Sequence, residues 1–64
     1  MDLVIRINLD SAAFEGAPHV EAARILRGLV REIDTNGSDG LDNLPRKLVD
    51  VNGNAVGTAK VVGK

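Results

Sequence analysis

Three arginines, Arg24, Arg27 and Arg31, recur at intervals of three and four residues, the spacing that aligns side chains on one face of an α-helix. A guanidinium is planar, permanently charged and forked, so it fits a carboxylate or a phosphate in bidentate fashion. The chemistry open to such a row is therefore recognition of an anionic partner. Arg6, Arg46 and Lys47 could join it from elsewhere in the chain. The same spacing also describes a plain solvated helix surface, since acids stand close by and no aromatic side chain is at hand for stacking a base. Surface, protein partner and nucleic acid all remain open as readings of the row.

Other chemistry has less to work with. Asp34, Asn36, Ser38 and Asp42 fit positions 1, 3, 5 and 9 of an EF-hand-like calcium loop, but Asp39 stands where glycine makes the sharp turn and Pro45 where a bidentate glutamate is needed. The expectation for residues 34–43 is a solvated acidic loop, and no metal site is assigned. There is one histidine, His19, no cysteine, and serine only at Ser11 and Ser38. Neither serine has the setting of an activated nucleophile, and His19 is expected to be an exposed residue of a first helical turn. A lone Gly16 before the helix falls far short of a phosphate-binding loop. No catalytic residue and no cofactor is assigned, and the chain is expected not to be an enzyme.

The element that must carry the arginine row is Pro18 to Asp34. At about 100° per residue, Ala22, Ala23, Ile25, Leu26, Leu29, Val30 and Ile33 fall on one broad arc, the expected buried face. Pro18 suits the first helical position, where its missing N–H has no partner to lose. Ala17 offers no capping side chain, so Glu21 is expected to help the first turn through its charge. At the other end Asn36 or Gly37 can take the positive-φ cap conformation. Gly28, in mid-helix, reads either as a point of close backbone approach or as a neutral surface glycine.

Around the helix, residues 3–9 (LVIRINL) alternate in a strand pattern, with Leu3, Ile5, Ile7 and Leu9 facing the core and Val4, Arg6 and Asn8 facing away. Phe14, the single aromatic residue, is expected to cap the core from the connection that follows. RKLVDV and AVGTAKVV flank Asn52-Gly53, the pair favoured at the centre of a type I′ hairpin turn. That turn would place Val51 opposite Asn54, Val49 opposite Val56 and Lys47 opposite Thr58, with Val49, Val51 and Val56 toward the helix. A three-residue loop would shift this register by one. The fold class is thus α+β, a β-α-β-β domain over residues 1–64 with one helix packed on a three-stranded sheet and a C-terminal β-hairpin. A crossover should bring the chain from the first strand to a parallel one in the same sheet.

Sixty-four residues without cysteine make a small core with neither disulfide nor metal to staple it. Association is the remedy left open. Val4, Leu48, Ala55, Ala59 and Val61 are expected on the outer face of the sheet, so a homodimer through that face or a sheet edge is expected. A formal net charge of −1 excludes a strongly basic nucleic-acid tail and a DNA-mimicking acidic surface alike. No apolar run approaches the ~18 residues of a membrane span, and the Met1-Asp2-Leu3 start lacks a secretory signal's basic residues, so a soluble, cytoplasmic protein is expected.

Three blocks in this order, LDSAAF, EAARILRGLVREI and LVDVNGNAVGTAKV, resemble a group of very small, uncharacterised proteins of bacteriophages and prophages. Asp10-Ser11 and Val51 depart from that group's pattern, which has Asn and Ile there. The resemblance implies a phage or mobile-element origin and carries no activity with it. Small phage proteins of this size often bind and block a host machine, CRISPR effectors among them, so by analogy the expected function is non-enzymatic protein binding, with Arg24, Arg27 and Arg31 as the partner-binding residues. The alternative is a nucleic-acid-associated accessory factor using the same arginine stripe.

Overall fold

The computed structural model describes residues 1–37, 41 and 44–63. Strand β1 spans Asp2–Ile7, helix α1 Pro18–Asn36, strand β2 Arg46–Val49 and strand β3 Ala55–Val62, with one turn of 3-10 helix at Ala12–Phe14 between β1 and α1. The three strands form one antiparallel sheet in the order β1-β3-β2. β1 and β2 are each antiparallel to β3 and so run parallel to one another. This is the expected crossover through the helix, with β3 inserted between the two parallel strands.

α1 begins at Pro18 as the sequence dictates, with Ala17 making no side-chain cap. It runs two residues beyond Asp34 and stops at Gly37, whose φ of 60° favours glycine and whose N–H donates to the Asp34 carbonyl. Its core-facing row is Ile25 and Leu29, which pack with Phe14, Leu48, Val56 and Ala59, while Ile7, Ala22, Ile33 and Leu44 close around them. Phe14 is 2 % exposed, so the lone aromatic does cap the core from the connection. Each of Phe14, Ile25, Leu29, Leu48 and Val56 contributes about 1.5–3 kcal/mol by leaving water.

The buried arc of the helix is turned relative to the expectation. Leu26 and Val30 are exposed, at 37 % and 64 %, whereas Glu21 is buried. The cause is polar. Glu21 accepts hydrogen bonds from its own Arg24 and from the Val51 N–H of the hairpin, which draws the row 21-25-29 inward and leaves 23-26-30 on the open flank. Ile5, expected in the core, is 40 % exposed for the related reason that the helix lies over the β2 side of the sheet. Gly28 meets no neighbour within 4 Å of where a Cβ would stand, which removes the close-approach reading.

The hairpin also differs from the type I′ expectation. Among the described residues only glycines have positive φ, so Asn52 cannot occupy a type I′ turn. Instead Val51, Asn52 and Gly53 make a three-residue loop, in which Gly53 N–H donates to Asp50 C=O and Asp50 N–H to Asn54 C=O, with Gly53 at φ 85°. Val49 then faces Ala55. A bulge restores the foreseen register from Leu48↔Gly57 through Lys47↔Thr58, and Val56 is the extra residue. In consequence Val56 is buried as expected, Val49 and Val51 are exposed, and Leu48 and Ala59, expected outside, are in the core.

Candidate partner-binding cleft

Between α1 and β2 runs a cleft of about 320 Å³. Its helical wall carries Arg24, Gly28, Arg31 and Glu32, its strand wall Arg46 to Val49, and Ile25, Leu29 and Leu48 give it an apolar floor. Helical spacing puts Arg24, Gly28 and Arg31 along one line, and β2 adds Arg46 across from them. Arg24, Arg31 and Arg46 thus face one acid, while Lys47, next in β2 to the buried Leu48, meets the cleft at its lip from the other face of the sheet. Glu32 is ion-paired with Arg46 across the cleft, and Arg24 is engaged with Glu21. Arg31 and Lys47 form no ion pair among the described residues.

The arginine stripe is therefore divided. Arg24 and Arg31 join Arg46 in the cleft, with Lys47 at its lip, while Arg27 lies with Ala23, Leu26, Val30 and Asp34 in a shallow depression on the other flank of the helix, where Arg31 contributes as well. Arg6 stands apart on β1, the opposite edge of the sheet. Gly28 gains a local meaning from this placement. It leaves open space on the cleft wall between Arg24 and Arg31 at the cost of about 1 kcal/mol of helix propensity relative to alanine.

Two buried carboxylates position the cleft from one end. Glu21 receives the Arg24 Nε–H at 2.7 Å and Nη2–H at 2.9 Å, and the Val51 N–H at 2.8 Å. Arg24, so fixed, also donates from Nη2 to the Val49 carbonyl at 3.4 Å. The hydrogen bonds from Arg24 hold the Glu21 carboxyl below its usual range against the opposing effect of burial, and Glu21 in turn raises Arg24. Asp50 accepts from the Asn52 and Asn54 N–H groups, both at 2.9 Å, and from the Ser11 hydroxyl at 2.8 Å. These bonds, the Asn54 amide foremost, lower its pKa as well.

Asp50 and Glu21 together tie the β1–α1 connection, the first turn of α1 and the hairpin into one rigid corner. Sequence reasoning gave Glu21 only a charge effect on the first helical turn and missed both its bond to Val51 and the role of Asp50. For Asp50 a signal existed, because an aspartate two residues before Asn-Gly-Asn can fold its side chain onto the backbone of the turn. For Glu21 none did, since its partner Val51 is thirty residues away. Ser11 serves here as a donor to Asp50, and His19 is exposed at the start of α1.

Asp34 and Asn36 of the calcium-loop pattern are part of α1, while Ser38, Asp39 and Asp42 lie outside the described residues. Among the described residues no three histidine or acidic side chains gather as a metal site would require. No helix of the described chain is long and apolar enough to cross a membrane. Set against family models, curated proteins and solved structures, the chain finds no match.

Proposed function

We propose that this is a small, non-enzymatic binding protein that works in the cytoplasm by seating the cationic cleft between α1 and β2 on an acidic segment of another protein. The observation that carries the reading is Arg31, a cation without an ion-pair partner among the described residues, set in one concave surface beside Arg24 and Arg46 with Lys47 at its lip. An incoming carboxylate gains a bidentate donor in Arg31 and a point charge in Lys47. The apolar floor under them offers room for an aliphatic side chain. The resemblance of the three sequence blocks to phage and prophage proteins supports a mobile-element origin, and a host machine as the partner rests on analogy with other small phage proteins. Nothing aromatic lines the cleft on which a base could stack, which favours protein over nucleic acid.

Fluorescence polarisation tests this with a labelled acidic peptide and with random-sequence DNA and RNA, at low and physiological salt, on the parent and on Arg31→Glu/Lys47→Glu. The expected result is peptide binding that weakens about tenfold or more in the double variant, the scale of two surface ion pairs lost and reversed. Tighter binding of oligonucleotides, falling steeply with salt, would transfer the cleft to nucleic acid. Failure to bind any of the three, together with identical captures from host lysate by parent and variant, would overturn the reading.

A further inference from the structure

Strand β1 is the unguarded edge of the sheet. Asn8 N–H donates to the Val56 carbonyl, so Arg6, Val4 and Asp2 by alternation direct their backbone groups at β3. Leu3, Ile5 and Ile7 direct theirs away from the sheet, where no strand among the described residues receives them. The other edge is protected in familiar ways. β2 is four residues long, follows Pro45, carries Arg46 and Lys47, and has its Val49 carbonyl engaged by Arg24. On β1 the side chains match the open backbone. Leu3 and Ile5, on the helix-facing side with Ala59, are 45 % and 40 % exposed, because α1 sits toward β2 and presents Leu26 and Val30 on its uncovered flank.

The strand is also complementary to itself. We propose that β1 pairs antiparallel with β1 of a second copy of this chain, about a two-fold axis through Val4 and normal to the sheet. In that register Asp2 faces Arg6 of the other copy, twice by symmetry, and Leu3 faces Ile5. Val4 meets its own counterpart. The hydrogen-bond parity agrees, since Leu3 and Ile5, with outward backbone groups, form the bonded pairs and Val4 the non-bonded one. Centring the axis on Leu3 or on Ile5 instead leaves Asp2 and Arg6 unmatched. The result is a six-stranded sheet with both helices on one face and Leu26 and Val30 of each flanking the new seam.

The chain has no cysteine, which makes a cross-linking test clean. Non-bonded antiparallel pairs hold their Cα atoms about 4.5 Å apart, within disulfide range, so Val4→Cys should form a covalent dimer under mild oxidation while Lys47→Cys on the other edge does not. In sedimentation equilibrium Asp2→Arg should weaken the dimer roughly tenfold, two opposed pairs turned to repulsion, and Asp2→Arg/Arg6→Asp should restore it. Circular dichroism confirms that each variant is folded. A chain that stays monomeric at 100 µM, taken as roughly the upper range of a specific weak dimer, would overturn the proposal. So would a dimer that ignores the charge swap and fails to cross-link through Val4→Cys.

Discussion

Gly57 lies opposite Ile7 on one side and Leu48 on the other, so all three strands meet at a position that has no side chain. A methyl group there would overlap the Arg6 carbonyl oxygen, with the Arg6 carbonyl carbon at 2.9 Å and Ile7 Cα at 3.0 Å. Carbon atoms rest about 3.5–4.0 Å apart, so Gly57→Ala must drive β1 back by at least roughly half an ångström. The bond from Asn8 N–H to Val56 C=O, now 2.7 Å, would then stretch to the outer limit of useful geometry, about 3.2 Å. Weakening it and its ladder neighbour removes up to about 1 kcal/mol net for each, and forced overpacking adds about 1–3 kcal/mol. The expected loss is about 2–4 kcal/mol, against the ~3–5 kcal/mol that a single core of this size supplies. Urea unfolding followed by far-ultraviolet circular dichroism reads it directly. Gly28→Ala is the companion measurement, since a methyl there touches nothing within 4 Å and should stabilise by up to about 1 kcal/mol. If Gly57→Ala unfolds at the same urea concentration as the parent, the close approach of β1 to β3 is not what Gly57 accommodates.

Two further outcomes follow from burial and charge. Leu29→Ala, at a site 4 % exposed, should destabilise by about 2–5 kcal/mol, while Val30→Ala, at 64 % exposed, should stay within about 0.5 kcal/mol when melts are run dilute enough to keep the chain monomeric; a reversed order would mean that the other flank of α1 faces the core. Glu21 and Asp50 titrate below their usual values of 4.5 and 3.8 in the fold, so as pH falls the unfolded chain takes up protons first. Their contribution is present above those usual values and is lost as pH drops through the folded-state values. Thermal melts from neutral pH to pH ~2 should therefore show an acid limb that flattens in Asp50→Asn; an unchanged limb would mean that Asp50 does not govern it.

What could be read in the sequence was local. Pro18 set the start of α1, Gly37 its end, period-two alternation located β1, and Asn52-Gly53 marked the hairpin, because each signal acts through its own φ, its own missing N–H or its immediate neighbours. What could not be read depended on contacts across the chain. The apolar arc of α1 is broad enough to bury either Leu26 or Ile25 at its centre, and the choice is made by Glu21 reaching Val51. The hairpin register turned on Asp50 folding its carboxylate over the loop, which favours three residues over two, and the bulge at Val56 then reversed the faces of β2. At the cleft the sequence placed Arg24 and Arg31 on one helix face correctly but could not show that β2 would bring Arg46 opposite them and Lys47 to the lip while Arg27 looked elsewhere.

The sheet's middle strand is also the last of its three in chain order. During synthesis β1 and then β2 leave the ribosome with no neighbour to pair with, and both wait on residues 55–62 for their ladders. The β2–β3 hairpin closes over a few residues, a fast local event, whereas Asp2 must find Val62 across nearly the whole described chain, and such distant closure slows folding. Until then Leu3 and Ile5 ride on an extended, unpaired segment of the kind that chaperones bind and aggregates recruit. A strand that waits longest for its own partner is the one with most opportunity to meet another chain's, so the order of synthesis bears on how much of this protein reaches its folded form at high expression.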